Sequence, residues 1–136
     1  MVSVRLAALD WAPQMIMLEF LRNGQYLKRL PYFRQVCRQK RDLMAEHLQR
    51  LAGRFGISYE IPAGGVYFWV RLPEGMNAGR LLEQAQGLGV TFIPGNLFDP
   101  THQTGADHIR LNFSYPSLNQ IEKGMVLLEQ AMAQAI

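Results

Sequence analysis

Arg110 is the side chain in this sequence best suited to bind an anion. It stands in the run Ile109-Arg110-Leu111-Asn112-Phe113-Ser114, which alternates strictly between apolar and polar residues. In an extended strand, Ile109, Leu111, Phe113 and Tyr115 point to one side, and Arg110, Asn112 and Ser114 point to the other. The pattern predicts a guanidinium on a stiff strand, on the sheet face opposite the core. There its fork of N–H groups can grip a carboxylate through two parallel hydrogen bonds. The competing reading is an ordinary arginine on a solvated sheet face.

Other chemistry finds less support. His47, His102 and His108 have no ligand spacing among themselves, and the loop that holds His102 and His108 beside Asp99 and Asp107 forms no zinc pattern, so no metal site is expected. Gly64-Gly65 lacks the third glycine and the following helix of a dinucleotide loop, and there is no phosphate-loop lysine. Serine-nucleophile motifs are absent, and no two carboxylates are placed for acid and base work. Cys37 is the sole cysteine, on the apolar side of a helical pattern, and reads as core filler rather than a reactive thiol. A single cysteine permits no intrachain disulfide, which suits a reducing compartment and a cytoplasmic location. Gly65 to Val70 loosely resembles the aromatic strand of an RNA-recognition module. That module needs a basic residue where Ala63 and Gly64 stand, and a buried aromatic strand accounts for the same residues.

The chain must position Arg110 with modest means. Its 136 residues suit one domain, 1–136, and a hydrophobic content of 49% is ample for a packed core. Charged residues are 18% and the net charge is +3, which argues against disorder and is too weak to argue for nucleic acid. No apolar run approaches the ~18 residues of a membrane span, and Arg5 and Asp10 interrupt the only candidate leader.

Residues 1–12 are apolar without a clear period. Pro13 opens a short helix, apolar almost all round through Met15, Ile16, Leu18, Phe20 and Leu21, which Asn23-Gly24 ends. Pro31 is expected to open the longest helix, with Phe33, Val36, Cys37, Lys40, Leu43, Met44, His47, Leu48 and Leu51 as its stripe. Its opposite, arginine-rich face reads as solvated, since two acids interrupt it. Strands follow at Ile57–Ile61 and Val66–Leu72. The second is apolar on both faces, as a strand covered on both sides or facing a partner would be. Asn77 caps a third helix that stops at Gly89, and Val90–Ile93 forms a third strand that Pro94-Gly95 breaks. After a polar loop with a lone Phe98 comes the strand of Arg110. Ser117 and Gln120 then form a capping box for the last helix, with Leu118, Ile121, Met125, Leu128 and Met132 as its stripe. The fold class is therefore α+β, a small, mainly antiparallel sheet of three to four strands with helices packed on one face.

Four pieces taken together carry a resemblance. They are Pro62-Ala63-Gly64-Gly65-Val66-Tyr67-Phe68-Trp69, Gly89-Val90-Thr91-Phe92-Ile93-Pro94-Gly95-Asn96-Leu97-Phe98, Ile109 to Ser114, and Gln120-Ile121-Glu122-Lys123-Gly124-Met125. In this order the chain, over roughly 13–135, resembles the C-terminal small domain of fold-type-I pyridoxal-phosphate aminotransferases. The likeness is greatest to the branch of 2-aminoadipate-type transaminases and the aminotransferase-like half of MocR-type (GntR-family) regulators. The resemblance implies a parent enzyme that exchanges the amino group of an amino acid with a 2-oxo acid, using pyridoxal 5'-phosphate as an electron sink. It implies that Arg110 binds the substrate α-carboxylate, that Gly65 and Tyr67 lie toward the active site, and that Asn96 and Phe98 shape its rim. It also implies what is absent. Lys28, Lys40 and Lys123 are the only lysines, none in the setting of the family's cofactor lysine. No catalytic or cofactor-binding residue is therefore expected in this chain, which should be inactive alone. It reads as a fragment of a two-domain protein whose large domain is missing, with the leading helix in 1–30 facing that domain. A homodimer is expected of the intact protein, and DNA is a partner only if the parent carries a winged-helix domain. The alternatives are an effector-binding domain of such a regulator and an isolated α+β ligand- or RNA-binding module.

Overall fold

The computed structural model describes residues 11–135. Its elements are α1 (Trp11–Arg22), α2 (Gln25–Phe55), β1 (Ser58–Tyr59), β2 (Tyr67–Arg71), α3 (Ala78–Gly87), β3 (Ile93–Pro94), a 3-10 turn (Gly95–Phe98), β4 (His108–Asn112) and α4 (Leu118–Gln134). Contacts divide the chain into two compact units, Met1–Val36 and Cys37–Ile136.

In the first unit, the expected stop at Asn23-Gly24 does two jobs. Gly24 takes a left-handed φ of +72° that ends α1, and the Asn23 side chain accepts the Gln25 N–H at 3.1 Å, which starts α2. This local start corrects the expectation that Pro31 opens the long helix. Pro31 lies inside α2, where its missing N–H leaves the Leu27 carbonyl without its helical donor. None of the residues of α1 is buried. Of the leading segment, residues 1–10 lie outside the described residues.

The second unit holds the core. Four strands form an antiparallel sheet in the order β1-β2-β4-β3. One face buries Phe68, Val70, Ile109 and Leu111, and these join Leu48 and Leu51 of α2, Leu81 and Ala85 of α3, and Ile121, Met125, Leu128 and Met132 of α4 in one cluster. The α+β class with helices on one sheet face is thus observed. On α2 the predicted stripe turns inward at Met44, Leu48 and Leu51, with Cys37, Leu43 and His47 half-buried. Lys40 lays its stem along that stripe and donates its Nζ to the Ser114 carbonyl at 2.8 Å. Both predicted caps form. Asn77 Oδ1 accepts from the Gly79 and Arg80 N–H groups, and Ser117 and Gln120 exchange side-chain and backbone bonds.

Three strands are shorter than the pattern predicts, β2 only by Val66 and Leu72 at its ends. Val90 does not join the sheet because its N–H donates to the Ala85 carbonyl at 3.0 Å and finishes α3, so β3 begins only at Ile93. Pro94 does not break that strand but pairs with Ile109 within it, which an edge strand permits because the missing N–H costs no ladder bond. Likewise β1 keeps only Ser58 and Tyr59 of the expected five residues. The alternation from Ile109 holds through Phe113 and then fails, and Tyr115 is 91% exposed. Asn112 Oδ1 accepts both the Ser114 and the Tyr115 N–H and turns the chain off the strand.

Candidate functional site

Register decides what surrounds Arg110. It sits on the central strand β4, paired with Trp69 of β2 on one side and Ile93 of β3 on the other. All three lie on the face opposite the core, as the alternation of β4 predicts. The aromatic strand β2 is not buried on both sides. Phe68 and Val70 are fully covered, whereas Tyr67 and Trp69 stay 40% and 43% exposed on the outer face beside Arg110.

The guanidinium lies over two aromatic rings. Its Cζ is 4.1 Å from the centroid of Tyr67 and 4.6 Å from that of Phe98. Among the described residues no carboxylate pairs with it. Arg110, Tyr67 and Asn112 contribute to a cleft of about 610 Å³ whose other walls include Thr91, Gln120 and Lys123. A half-buried cation whose side-chain N–H groups find no hydrogen-bond partner among the described residues can receive an anion from the cleft, and the planar fork favours a carboxylate.

Phe98 reaches this face through the loop after β3. Gly95 and Gly105 bring two backbone segments into contact. A Cβ on Gly95 would stand 2.6 Å from the Gly105 carbonyl oxygen, and one on Gly105 would stand 2.8 Å from the Gly95 carbonyl carbon. Asp99 fixes the rest of the turn by accepting from the N–H and Oγ1 groups of both Thr101 and Thr104. The ring of Phe98 then meets Trp69 edge-on, with centroids 5.6 Å apart. Trp69 also stacks on His108, with ring centroids 5.5 Å apart. His108 Nδ1 donates to Asp107 Oδ1 at 2.7 Å, and that hydrogen bond is the main cause holding the Asp107 carboxyl below its ordinary value. Asp107 also accepts from Arg71 Nε at 3.2 Å.

Asp99 gives this loop a pH signature. Its hydrogen bonds, first that from the Thr101 N–H, hold its pKa well below the usual carboxylate range. The folded value is the lower one, so the stabilisation is complete above the unfolded value of about 3.9 and is lost as pH falls toward the folded one. Amide exchange at Thr101 and Thr104 should therefore show constant protection from neutral pH down to about 4 and loosening only below. Asp99→Asn should lose that protection already at neutral pH. Equal protection in the variant would mean that the carboxylate does not hold the turn.

The structure brings Tyr67 against Arg110, but not Gly65. Gly65 is exposed in the turn before β2, where its φ of +81° favours glycine, and it does not line the cleft. Of the two rim candidates, Phe98 touches the guanidinium, whereas Asn96 contributes a carbonyl that accepts the Asp99 N–H within the loop. Trp69 and His108 join Arg110 on this face. The period-2 pattern of β2 and β4 places both there.

No protein-family model matches the chain. Individual proteins do. Aromatic-amino-acid aminotransferase 1 of Thermococcus litoralis is 29% identical over 121 residues, covering 89% of this chain and 28% of its own length. The crystal structure of LysN, the alpha-aminoadipate aminotransferase of Thermus thermophilus complexed with N-(5'-phosphopyridoxyl)-L-leucine, superposes with a TM-score of 0.80. It is 30% identical, over 90% of this chain and 31% of the enzyme. This chain is a homologue of the C-terminal small domain of fold-type-I aminotransferases. The same domain type occurs in MocR-type regulators. The HTH-type transcriptional regulator YisV of Bacillus subtilis is 32% identical over 107 residues, or 79% of this chain and 21% of the regulator. The chain thus spans less than a third of the length of the relatives it matches. Among the described residues, no helix is long and apolar enough to cross a membrane.

Proposed function

We propose that this chain is the substrate-carboxylate-binding part of a pyridoxal-phosphate-dependent aminotransferase, acting on an amino acid and a 2-oxo acid. The observation that carries the reading is the Arg110 guanidinium, held on a central strand beside a cleft with no acid to neutralise it among the described residues. Arg110 would take the α-carboxylate in a two-point bond, which fixes the direction of the Cα–H bond and leaves the amino group free to react elsewhere.

The residues present do not fit the cofactor itself. Lys40 is occupied by the Ser114 carbonyl, and Lys28 and Lys123 stand exposed on helices. We therefore assign pyridoxal 5'-phosphate, and the lysine that holds it, to sequence outside this chain. The missing large domain and a second copy of the intact protein are the partners this reading calls for. The similarity to YisV supports a second setting, an amino-acid-sensing regulator whose DNA contacts come from another domain, and Arg110 would bind a carboxylate there as well.

The test is amino-group transfer. The protein encoded by the whole reading frame, supplied with pyridoxal phosphate, should convert a 2-oxo acid to its amino acid, and this chain alone should not. Transfer by the chain alone, or none by the longer protein with any amino donor, would overturn the enzyme reading. Carboxylate binding without transfer by the longer protein would favour the regulator.

A further inference from the structure

The contacts of Arg110 raise a question that the carboxylate role leaves open, which is what aims a long, flexible side chain on an open sheet face. We infer that Tyr67 and Phe98 form an aromatic cradle that positions the Arg110 guanidinium for its carboxylate, an inference that rests on the reading of Arg110 given above. The guanidinium Cζ lies over both rings, at 4.1 and 4.6 Å, well inside the distance at which a ring face attracts a cation. A guanidinium can make such contact through its flat face, which leaves the N–H groups in its own plane free to donate.

The two rings reach the site by different routes. Tyr67 stands on β2 and is set by strand register. Phe98 stands on the 3-10 turn, seated by the Gly95–Gly105 contact and braced by a T-shaped contact with Trp69. Each ring thus has a support besides Arg110, strand register for Tyr67 and the glycine contact and Trp69 for Phe98, and can hold the arginine rather than merely fill space around it. Arg110 has rotamer freedom to lose when it binds a carboxylate, and a side chain already held by two rings loses less of it.

The cradle is read by NMR on the full 136-residue chain, following the Arg110 Nε–H signal during titration with sodium acetate. In the parent chain that proton should lie upfield, shifted by the rings above which it sits, and should move on adding acetate. Phe98→Leu and Tyr67→Leu keep apolar bulk but remove the ring face. Each should return the signal toward an unstructured arginine's position and weaken acetate binding about three- to fivefold. Phe98→Tyr restores a ring and should restore both readouts, which a purely structural role for Phe98 would not require. Backbone amide spectra of the β4 residues confirm an intact sheet in each variant. If the leucine variants keep the parent's shift and affinity while the β4 backbone amides of Arg110→Ala no longer respond to acetate as the parent's do, the cradle is overturned and the carboxylate role stands. If Arg110→Ala binds acetate as the parent does, the carboxylate role falls, and the cradle with it.

Discussion

Replacing Arg110 with alanine in the protein encoded by the whole reading frame should, on the proposed transaminase reading, lower kcat/KM for amino-acid substrates about 100-fold or more. The size follows from the kind of bond removed. A charge-assisted, two-point contact to a carboxylate is among the strongest single polar interactions, and truncating one partner of a desolvated pair costs about 2–5 kcal/mol. Both constants should move. KM rises because the carboxylate loses its holder, and kcat falls because a substrate tethered at fewer points presents its Cα–H bond less often in the reactive direction. Arg110→Lys should recover only part of the loss, since an ammonium keeps the charge but not the planar fork. The decisive control is an amine without a carboxyl group. Any slow turnover of such an amine should be equal in the parent protein and in Arg110→Ala. An equal loss for amine and amino acid would mean that the substitution damages the site in general, and unchanged kinetics for the amino acid would remove Arg110 from substrate binding altogether.

How much of this site was legible in the sequence differs residue by residue. The strand of Arg110 declared itself through local alternation, and the inward Ile109 and Leu111 and the outward Arg110 all stand where that pattern puts them. The caps at Asn77 and Ser117 were equally local, because a short polar side chain bonds N–H groups two or three residues ahead. The failures arise where a nearby hydrogen bond outcompetes the pattern. Asn112 pulls Ser114 and Tyr115 out of the alternation, and the end of α3 claims the N–H of Val90. Phe98 is a different case. Its approach to Arg110 depends on Gly95 meeting Gly105, ten positions apart in the sequence, and on Asp99 gathering Thr101 and Thr104. Turn chemistry marks such a stretch as a loop but does not say where the loop lies. The exposed rings of Tyr67 and Trp69 correct the expectation of a buried aromatic strand while keeping its alternative, a sheet whose outer face meets something beyond this chain.

That long-range contact underlies the second large effect. Gly95→Ala should destabilise the Cys37–Ile136 unit by about 2 kcal/mol, the usual scale for forcing an extra carbon into a filled space. For a unit of this size that lowers the thermal midpoint by roughly 8 °C. Backbone conformation is not the obstacle, since φ at Gly95 is not in the left-handed region. Space is the obstacle. The new carbon would stand 2.6 Å from the Gly105 carbonyl oxygen, 2.8 Å from the His108 Cβ and 3.1 Å from the Trp69 ring, and the nearest of these is backbone, which cannot rotate away. Gly105→Ala should be worse, because it adds a left-handed φ of +79° to a similar collision, at a further cost of about 1 kcal/mol. Gly53→Ala supplies the contrast. Gly53 lies exposed inside α2 with nothing within 4 Å of the added carbon, so the change should stabilise by about 0.5–1 kcal/mol through helix propensity alone. Chemical denaturation of the three variants separates the terms. Relief of the Gly95 collision has one easy route, the loop moving off the sheet, and that motion carries Phe98 away from Arg110. Gly95→Ala should therefore also weaken carboxylate binding, although it touches neither ring of the cradle. A variant as stable as the parent would show that the loop yields without cost, and that the close approach of the two glycines does not seat Phe98.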